Sequence, residues 1–243
     1  MTKKEIIEKY IEKYNGYLVT SLVCSGGISK TYVSDYIKER GLEKVSRGIY
    51  ITDDVWPDEL FILQQRNCAV IYFGETALYL HGLTDREYSA VFVTVPQGYN
   101  ASHLKGSDFE VAVRYASQEL YNLGVCEIVS SSGNLVKAYD RERCICDLIA
   151  NRNKYEVLVF QTAIKEYMSS KDKNLLQLLI YADVMGIRDE VMKYVEVLVW
   201  LAHQSNWKIK SGITPKAVEY DYKLMFEERT ISVLTYNKET LLA

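Results

Sequence analysis

Ile28-Ser29-Lys30-Thr31-Tyr32-Val33-Ser34-Asp35-Tyr36-Ile37-Lys38-Glu39-Arg40-Gly41 reads as a helix with both ends marked. Ser29 is a good N-cap, because its hydroxyl can accept from a backbone N–H that the first turn leaves without a partner. Ile28 before it and Val33 after it can close as a hydrophobic staple. Gly41 is the expected C-cap. Val33, Tyr36 and Ile37 carry the apolar face. The opposite face shows Lys30, Thr31, Ser34, Asp35 and Lys38.

The flanks complete a pattern. Upstream, Ile6, Ile7, Tyr10, Ile11 and Tyr14 fall on one helical face, and Asn15-Gly16 ends that helix. A second short helix around Thr20 to Ser25 turns Leu22 and Val23 inward, and Gly26-Gly27 supplies a tight turn. Downstream, Lys44-Val45-Ser46 and Ile49-Tyr50-Ile51 read as two short strands around Arg47-Gly48. Helix, helix, turn, helix, hairpin is the order of a winged helix-turn-helix.

Asp53-Asp54-Val55-Trp56-Pro57-Asp58 is an acidic, proline-containing joint and marks the first domain boundary. Beyond it, short helices are expected over Leu60 to Leu63 and over Thr76 to Leu80, ending near His81-Gly82. Val91 to Val95 reads as a strand that stops at Pro96, and Phe109, Val111 and Val113 alternate as a half-buried strand. Val125 to Val129 and Leu135 to Tyr139 flank a hairpin turn at Ser131-Ser132-Gly133-Asn134. From Asp140, itself a candidate cap, the period becomes helical. Helices are expected around Cys144 to Ile149, over Val157 to Met168, over Asn174 to Met185 with Gly186 as cap, and from Ile187 to about His203. In the last forty residues Ala217 to Tyr222 and Thr230 to Leu234 look like strands, and Lys238 to Ala243 starts a helix.

The fold class is therefore α+β: an N-terminal winged helix-turn-helix over 1–55, then a small mixed sheet and a helical C-terminal domain over 56–203, then a tail over 204–243.

The composition is that of an ordinary globular chain, with 243 residues, 48% hydrophobic and 25% charged. A formal net charge of −3 excludes a uniformly basic nucleic-acid coat but not a local DNA-reading module. No window approaches the ~20 apolar residues of a membrane span, and the first residues lack a signal-peptide apolar region, so a cytoplasmic protein is expected. The five cysteines are odd in number and scattered, without a CxxC pair, which argues against a zinc knuckle. Cys144 and Cys146 read as reduced, half-buried thiols on a helix; a shared metal or strained bridge is the alternative.

Catalysis has no positive support. Neither GxGxxG, GxxxxGK[ST] nor GxSxG occurs, and no two of His81, His103 and His203 stand at metal spacing. His81 reads as a capping or core histidine. Adjacent carboxylates such as Asp53/Asp54 and Glu227/Glu228 diverge on any regular element, so they do not share a proton. No enzyme, cofactor or metal is expected.

DNA binding has support. Over residues 28–50, Lys30, Lys38, Arg40, Lys44 and Arg47 stand against Asp35, Glu39 and Glu43, a surplus of two positive charges. Lys30, Thr31 and Ser34 sit in the first turns of the third helix, the end that enters the major groove, with Lys38 farther along the same helix. Arg40 stands on the flank, and Lys44 and Arg47 sit on the wing, where they can grip the backbone or the minor groove. Tyr10, Tyr14, Tyr17, Tyr32, Tyr36 and Tyr50 are expected to fill a small core, with a base-stacking platform as the alternative. The competing reading is a non-catalytic protein-interaction module.

Several of these stretches together resemble a known family. Val45-Ser46-Arg47-Gly48-Ile49-Tyr50, then Glu75-Thr76-Ala77-Leu78-Tyr79-Leu80-His81-Gly82-Leu83-Thr84-Asp85, then Val93-Thr94-Val95-Pro96 resemble the AbiEi antitoxins of type IV abortive-infection toxin–antitoxin pairs. Arg141-Glu142-Arg143-Cys144-Ile145-Cys146-Asp147-Leu148-Ile149 is similar to the helix that opens the family's C-terminal domain. The resemblance covers roughly residues 3 to 200. It implies a transcriptional autorepressor whose winged helix binds inverted repeats upstream of a bicistronic operon in double-stranded DNA, and inverted repeats in turn are compatible with a dimer on that DNA. It also implies a C-terminal domain that contributes to DNA binding and counteracts the nucleotidyltransferase-like toxin AbiEii without requiring a stable complex. The implied outcome is phage defence by growth arrest. The tail adds a second resemblance: Ile213 to Tyr220 and Ile231 to Ala243 look like an internal piece of the AbiEii toxin, without its glycine-serine loop or its metal-binding aspartates. An internal deletion in the operon, fusing antitoxin to a toxin fragment, is the expected origin, with an unrelated C-terminal extension as the alternative.

Overall fold

The computed structural model describes residues 1–106 and 109–196. The protein is mixed α+β and divides into two compact units, one over Met1–Tyr139 and one beginning at Asp140.

The first unit opens with α1 (Lys3–Lys13). A capping box starts it: the Glu5 N–H donates to Thr2 Oγ1, and the Thr2 N–H donates to Glu5 Oε2. Asn15 and Gly16, at φ of 48° and 86°, then reverse the chain into β1 (Tyr17–Val19). This strand was not expected, because three residues, all buried, carry no alternation to read. Next come α2 (Thr20–Ser25), the Gly26-Gly27 turn and α3 (Lys30–Arg40). A Cβ on Gly26 would stand 2.8 Å from the Tyr10 hydroxyl, so α1 packs close against this turn. Ser29 caps α3 as expected, accepting from the Tyr32 N–H, and Gly41 closes the helix in the left-handed conformation. β2 (Glu43–Ser46) and β3 (Ile49–Ile51) form an antiparallel hairpin, and β3 also pairs with β1, giving the order β1-β3-β2. Ile7, Ile11, Leu18, Val23, Ile28, Val33 and Tyr36 make the core of these elements. Each such burial contributes about 1.5–3 kcal/mol relative to exposure. Ile28 and Val33, the expected staple, share that core.

A five-stranded mixed sheet follows, in the order β6-β5-β4-β8-β7. Its strands are β4 (Ile71–Tyr72), β5 (Val91–Pro96), β6 (Val111–Ala116), β7 (Val125–Val129) and β8 (Leu135–Tyr139). The β7–β8 hairpin is antiparallel as expected, whereas β5–β6 and β4–β8 are parallel. Helices α4 (Glu59–Arg66), α5 (Gly74–Leu80) and α6 (Gln118–Asn122) accompany it. β4 was not expected, for the same reason as β1. Its two residues are extended sideways by a side chain: the Gln64 amide of α4 donates to the Lys137 carbonyl and accepts from the Lys137 N–H at 3.0 and 2.7 Å. This copies the pairing of a strand residue. His81 ends α5, and its Nε2–H donates to the Tyr139 carbonyl at 2.8 Å, the structural role expected of it.

The acidic joint ends in a buried network. Asp58 caps α4 by accepting from the Phe61 N–H, and its other carboxylate oxygen accepts from Ser130 Oγ and Asn134 Nδ2. The Asp58 N–H donates to the hydroxyl of Tyr17, which itself donates to the Trp56 carbonyl. Asn15 Nδ2 donates to the Gly133 carbonyl at 2.7 Å. The first fifty residues are thus fastened to the sheet of their own unit.

The second unit begins with α7 (Arg141–Ala150), capped by Asp140 as expected. α8 (Val157–Ser169) and α9 (Leu175–Val184) follow, and another helix occupies 188–196. Cys144 and Cys146 are free thiols and fully buried, rather than half-buried. Buried Arg143 and Asp147 pair at 3.4 Å, and the Glu142 carboxylate accepts from the Tyr167 hydroxyl and the Asn174 N–H. The expected continuation of the last helix to His203, and the strands and helix of the tail 204–243, lie outside the described residues. Among the described residues no helix is long and apolar enough to cross a membrane.

Candidate nucleic-acid interface

Helix α3 sorts its residues by phase. Lys30, Ser34 and Lys38 stand at i, i+4 and i+8 and share a face, with Thr31 beside them. All four are exposed, while Val33 and Tyr36 on the far side are buried. Eleven residues at 1.5 Å each give a rod of about 16 Å, long enough to lie along a duplex groove. Its N-terminus also presents backbone N–H groups and the positive end of the helix dipole, an arrangement that favours a phosphate.

The hairpin supplies the second group. Arg47 occupies the β2–β3 turn and is exposed, as is Lys44 on β2. Lys44 stands opposite Tyr50 across the ladder, and the register shifts between Lys44 and Ser46. The turn is held from below, since the Thr20 N–H donates to the Gly48 carbonyl at 2.8 Å. Among the described residues Lys30, Lys38, Lys44 and Arg47 make no ion pair with a carboxylate.

Arg40, expected on the flank of the interface, is exposed but not part of this face. It lies one turn beyond buried Tyr36, on the side of α3 that meets α1, and its Nε is 3.9 Å from Glu8. Lys4 and Glu39 make a similar pair at 3.0 Å, and the hydrogen bond and charge of Glu39 raise the Lys4 ammonium above its ordinary value. These exposed pairs contribute little stability. Their effect is on location, because they place two cations and two carboxylates along the α1–α3 seam.

The tyrosines pack in and around the core. None of Tyr10, Tyr14, Tyr17, Tyr32, Tyr36 and Tyr50 is exposed. Tyr10 stacks on Tyr14 at 6.3 Å, and Tyr17 sets its edge against Phe61 at 4.9 Å. Tyr17 and Tyr36 are buried, and Tyr10, Tyr14, Tyr32 and Tyr50 are half-buried.

Sequence reading missed Arg66. It sits at the end of α4, and its Nη1 donates to Ser46 Oγ at 3.3 Å, beside Arg47 on the hairpin. A lone arginine in the last turn of a helix carries no sequence signal for that contact. Among the described residues no group of three His, Cys, Asp or Glu side chains is placed to hold a metal ion.

Compared with known protein families and with curated proteins, the sequence matches neither.

Proposed function

We propose that this protein is a DNA-binding antitoxin and transcriptional autorepressor of the AbiEi kind, with no catalysis of its own. Residues 1–55 act as a winged helix-turn-helix, α3 is the recognition helix and the β2–β3 hairpin is the wing. The observation that carries the reading is the exposed face of Lys30, Thr31, Ser34 and Lys38 on a helix backed by its own core, next in sequence to a hairpin bearing Lys44 and Arg47. Lys30 and Ser34 would meet base edges, and Lys38, Lys44 and Arg47 phosphates. The antitoxin role, the inverted repeats with one protomer on each half-site, and the AbiEii-like toxin as functional counterpart rest on the sequence resemblance.

The test is fluorescence anisotropy on about 200 base pairs of the gene's own upstream DNA against a scrambled duplex, at two salt concentrations. Selective, salt-sensitive binding supports the reading; equal weak binding to both duplexes overturns it. A second reading, a module that binds a toxin or phage protein directly, is favoured by one observation. On α9, Leu176, Ile180 and Val184 form an exposed apolar stripe at i, i+4 and i+8. Co-purification with the cognate toxin at high salt would select it.

A further inference from the structure

A cleft of about 290 Å³ opens beside the hairpin, within the first unit. One wall is β2, through Val45 and Ser46. The other is α4, through Ile62 and Arg66, and the base is Leu104 of the 3-10 turn Ser102–Gly106. The volume suits a ligand of about ten to fifteen non-hydrogen atoms, at the small end of ligand sites. Its lining is mixed: half-buried Val45, Ile62 and Phe109 put apolar groups on the walls over buried Leu104, and Ser46, Glu59, Arg66, Asn67 and His103 make the rest polar.

The polar groups decide the chemistry. Arg66 is exposed at the mouth, and its guanidinium has five donors, of which Ser46 Oγ engages one. His103 is already committed. Asn67 Nδ2 donates to the Leu63 carbonyl at 2.8 Å, which turns Asn67 Oδ1 toward His103 as an acceptor. His103 Nε2 therefore carries the proton of that 2.6 Å bond. Glu59 lines the same α4 face seven residues before Arg66, about 10 Å along the axis, and disfavours an anion at its end. Positive charge at one end, apolar walls and negative charge at the other select the ligand and its orientation.

We propose that this cleft binds a small carboxylic acid with a ring-sized apolar body, its carboxylate held by Arg66 and its ring between Val45, Ile62 and Leu104. A planar carboxylate matches the fork of a guanidinium and takes two of its donors. Bound end-on through Nη1 and Nη2, the carboxylate competes with Ser46 Oγ for Nη1, and Ser46 is the residue before Arg47 on the hairpin. The ligand thereby loosens the hairpin and weakens its grip on DNA. This last consequence rests on the proposed DNA-binding function; ligand binding itself does not.

The test titrates the full chain with sodium benzoate while following the methyl resonances of Val45, Ile62 and Leu104. The neutral isostere benzamide serves as a control that needs no mutation. Saturable shifts in the millimolar range are expected, at least about tenfold weaker for benzamide and for Arg66→Gln. Absence of saturable shifts, or equal binding of benzamide, overturns the site. Anisotropy on the upstream duplex, with and without saturating benzoate, reads the coupling: a loss of DNA affinity of about threefold or more is expected, absent in Arg66→Gln. Unchanged DNA affinity alongside saturable shifts overturns the coupling alone. Failure to bind the duplex at all overturns the DNA-binding function, and the resonance titration still decides the site.

Discussion

Arg40 Nε lies 3.9 Å from a carboxylate oxygen of Glu8, so the last arginine of α3 faces α1 instead of the Lys30–Ser34–Lys38 face. One helix thus carries two kinds of cation, one matched within the protein and one presented outward.

That division predicts different alanine phenotypes. Lys38→Ala and Arg47→Ala should each weaken DNA binding several-fold, about equally on every sequence, and lower the salt slope by about one. Arg40→Ala should change affinity less than about twofold and leave the slope intact. Anisotropy across a salt series measures all three. A slope lost with Arg40 would place it on the phosphates after all.

The Asp58 network predicts a large stability effect. Asp58→Ala leaves the Phe61 N–H, Ser130 and Asn134 without their acceptor in a buried place. A loss of about 3 kcal/mol is expected from the urea midpoint. Asp53→Ala, exposed in the same acidic joint, should leave the midpoint where it is.

Gly16 tests the turn after α1. Its φ is +86°, and a Cβ there would stand 2.4 Å from Val55 Cγ2 and 2.7 Å from Thr52 Oγ1. Gly16→Ala should cost about 2–3 kcal/mol, from strain and collision together, read by thermal unfolding.

Alkaline pH should unfold the protein gradually. Burial pushes the Cys146 thiol up to about 12 from 9.0, helped by the charge of Asp147. Burial also pushes the Tyr88 phenol up to about 12 from 10.0, helped by Glu59. The folded state therefore holds protons that the unfolded chain releases first. The stability from this source is complete below pH 9 and is lost as pH rises through 12. Midpoints measured in urea between pH 8 and 12 should fall steadily. At pH 8 an alkylating reagent should label exposed Cys68, with Cys144 and Cys146 reacting only on unfolding.

Helix α3 was legible because every local signal agreed: Ser29 before it, Gly41 after it and an apolar phase between. The β7–β8 hairpin was legible from alternation around a Gly-Asn turn. β1 and β4 were not, because two or three wholly buried residues show no period, and their strand character comes from partners far along the chain. The exposed cations of α3 followed from residue type and helical phase. What phase alone does not supply is a partner on another element, and so Arg40's attraction to Glu8 and Arg66's bond to Ser46 were invisible.

The thinness of β4 has a kinetic meaning. In the backbone ladder the halves β6–β5 and β8–β7 are joined by Ile71–Tyr72, and Tyr72 pairs with Ala138, some 66 residues later. Closing so long a loop carries a large entropic barrier before any contact rewards it. Local pairing favours early formation of hairpin β7–β8, with the long-range join at the centre of the sheet expected later. Gln64, whose amide grips Lys137 across the same join, belongs to that late event. Gln64→Ala should therefore slow refolding about in proportion to the stability it removes, leaving the unfolding rate nearly unchanged. The timing of assembly is set where the sheet is narrowest.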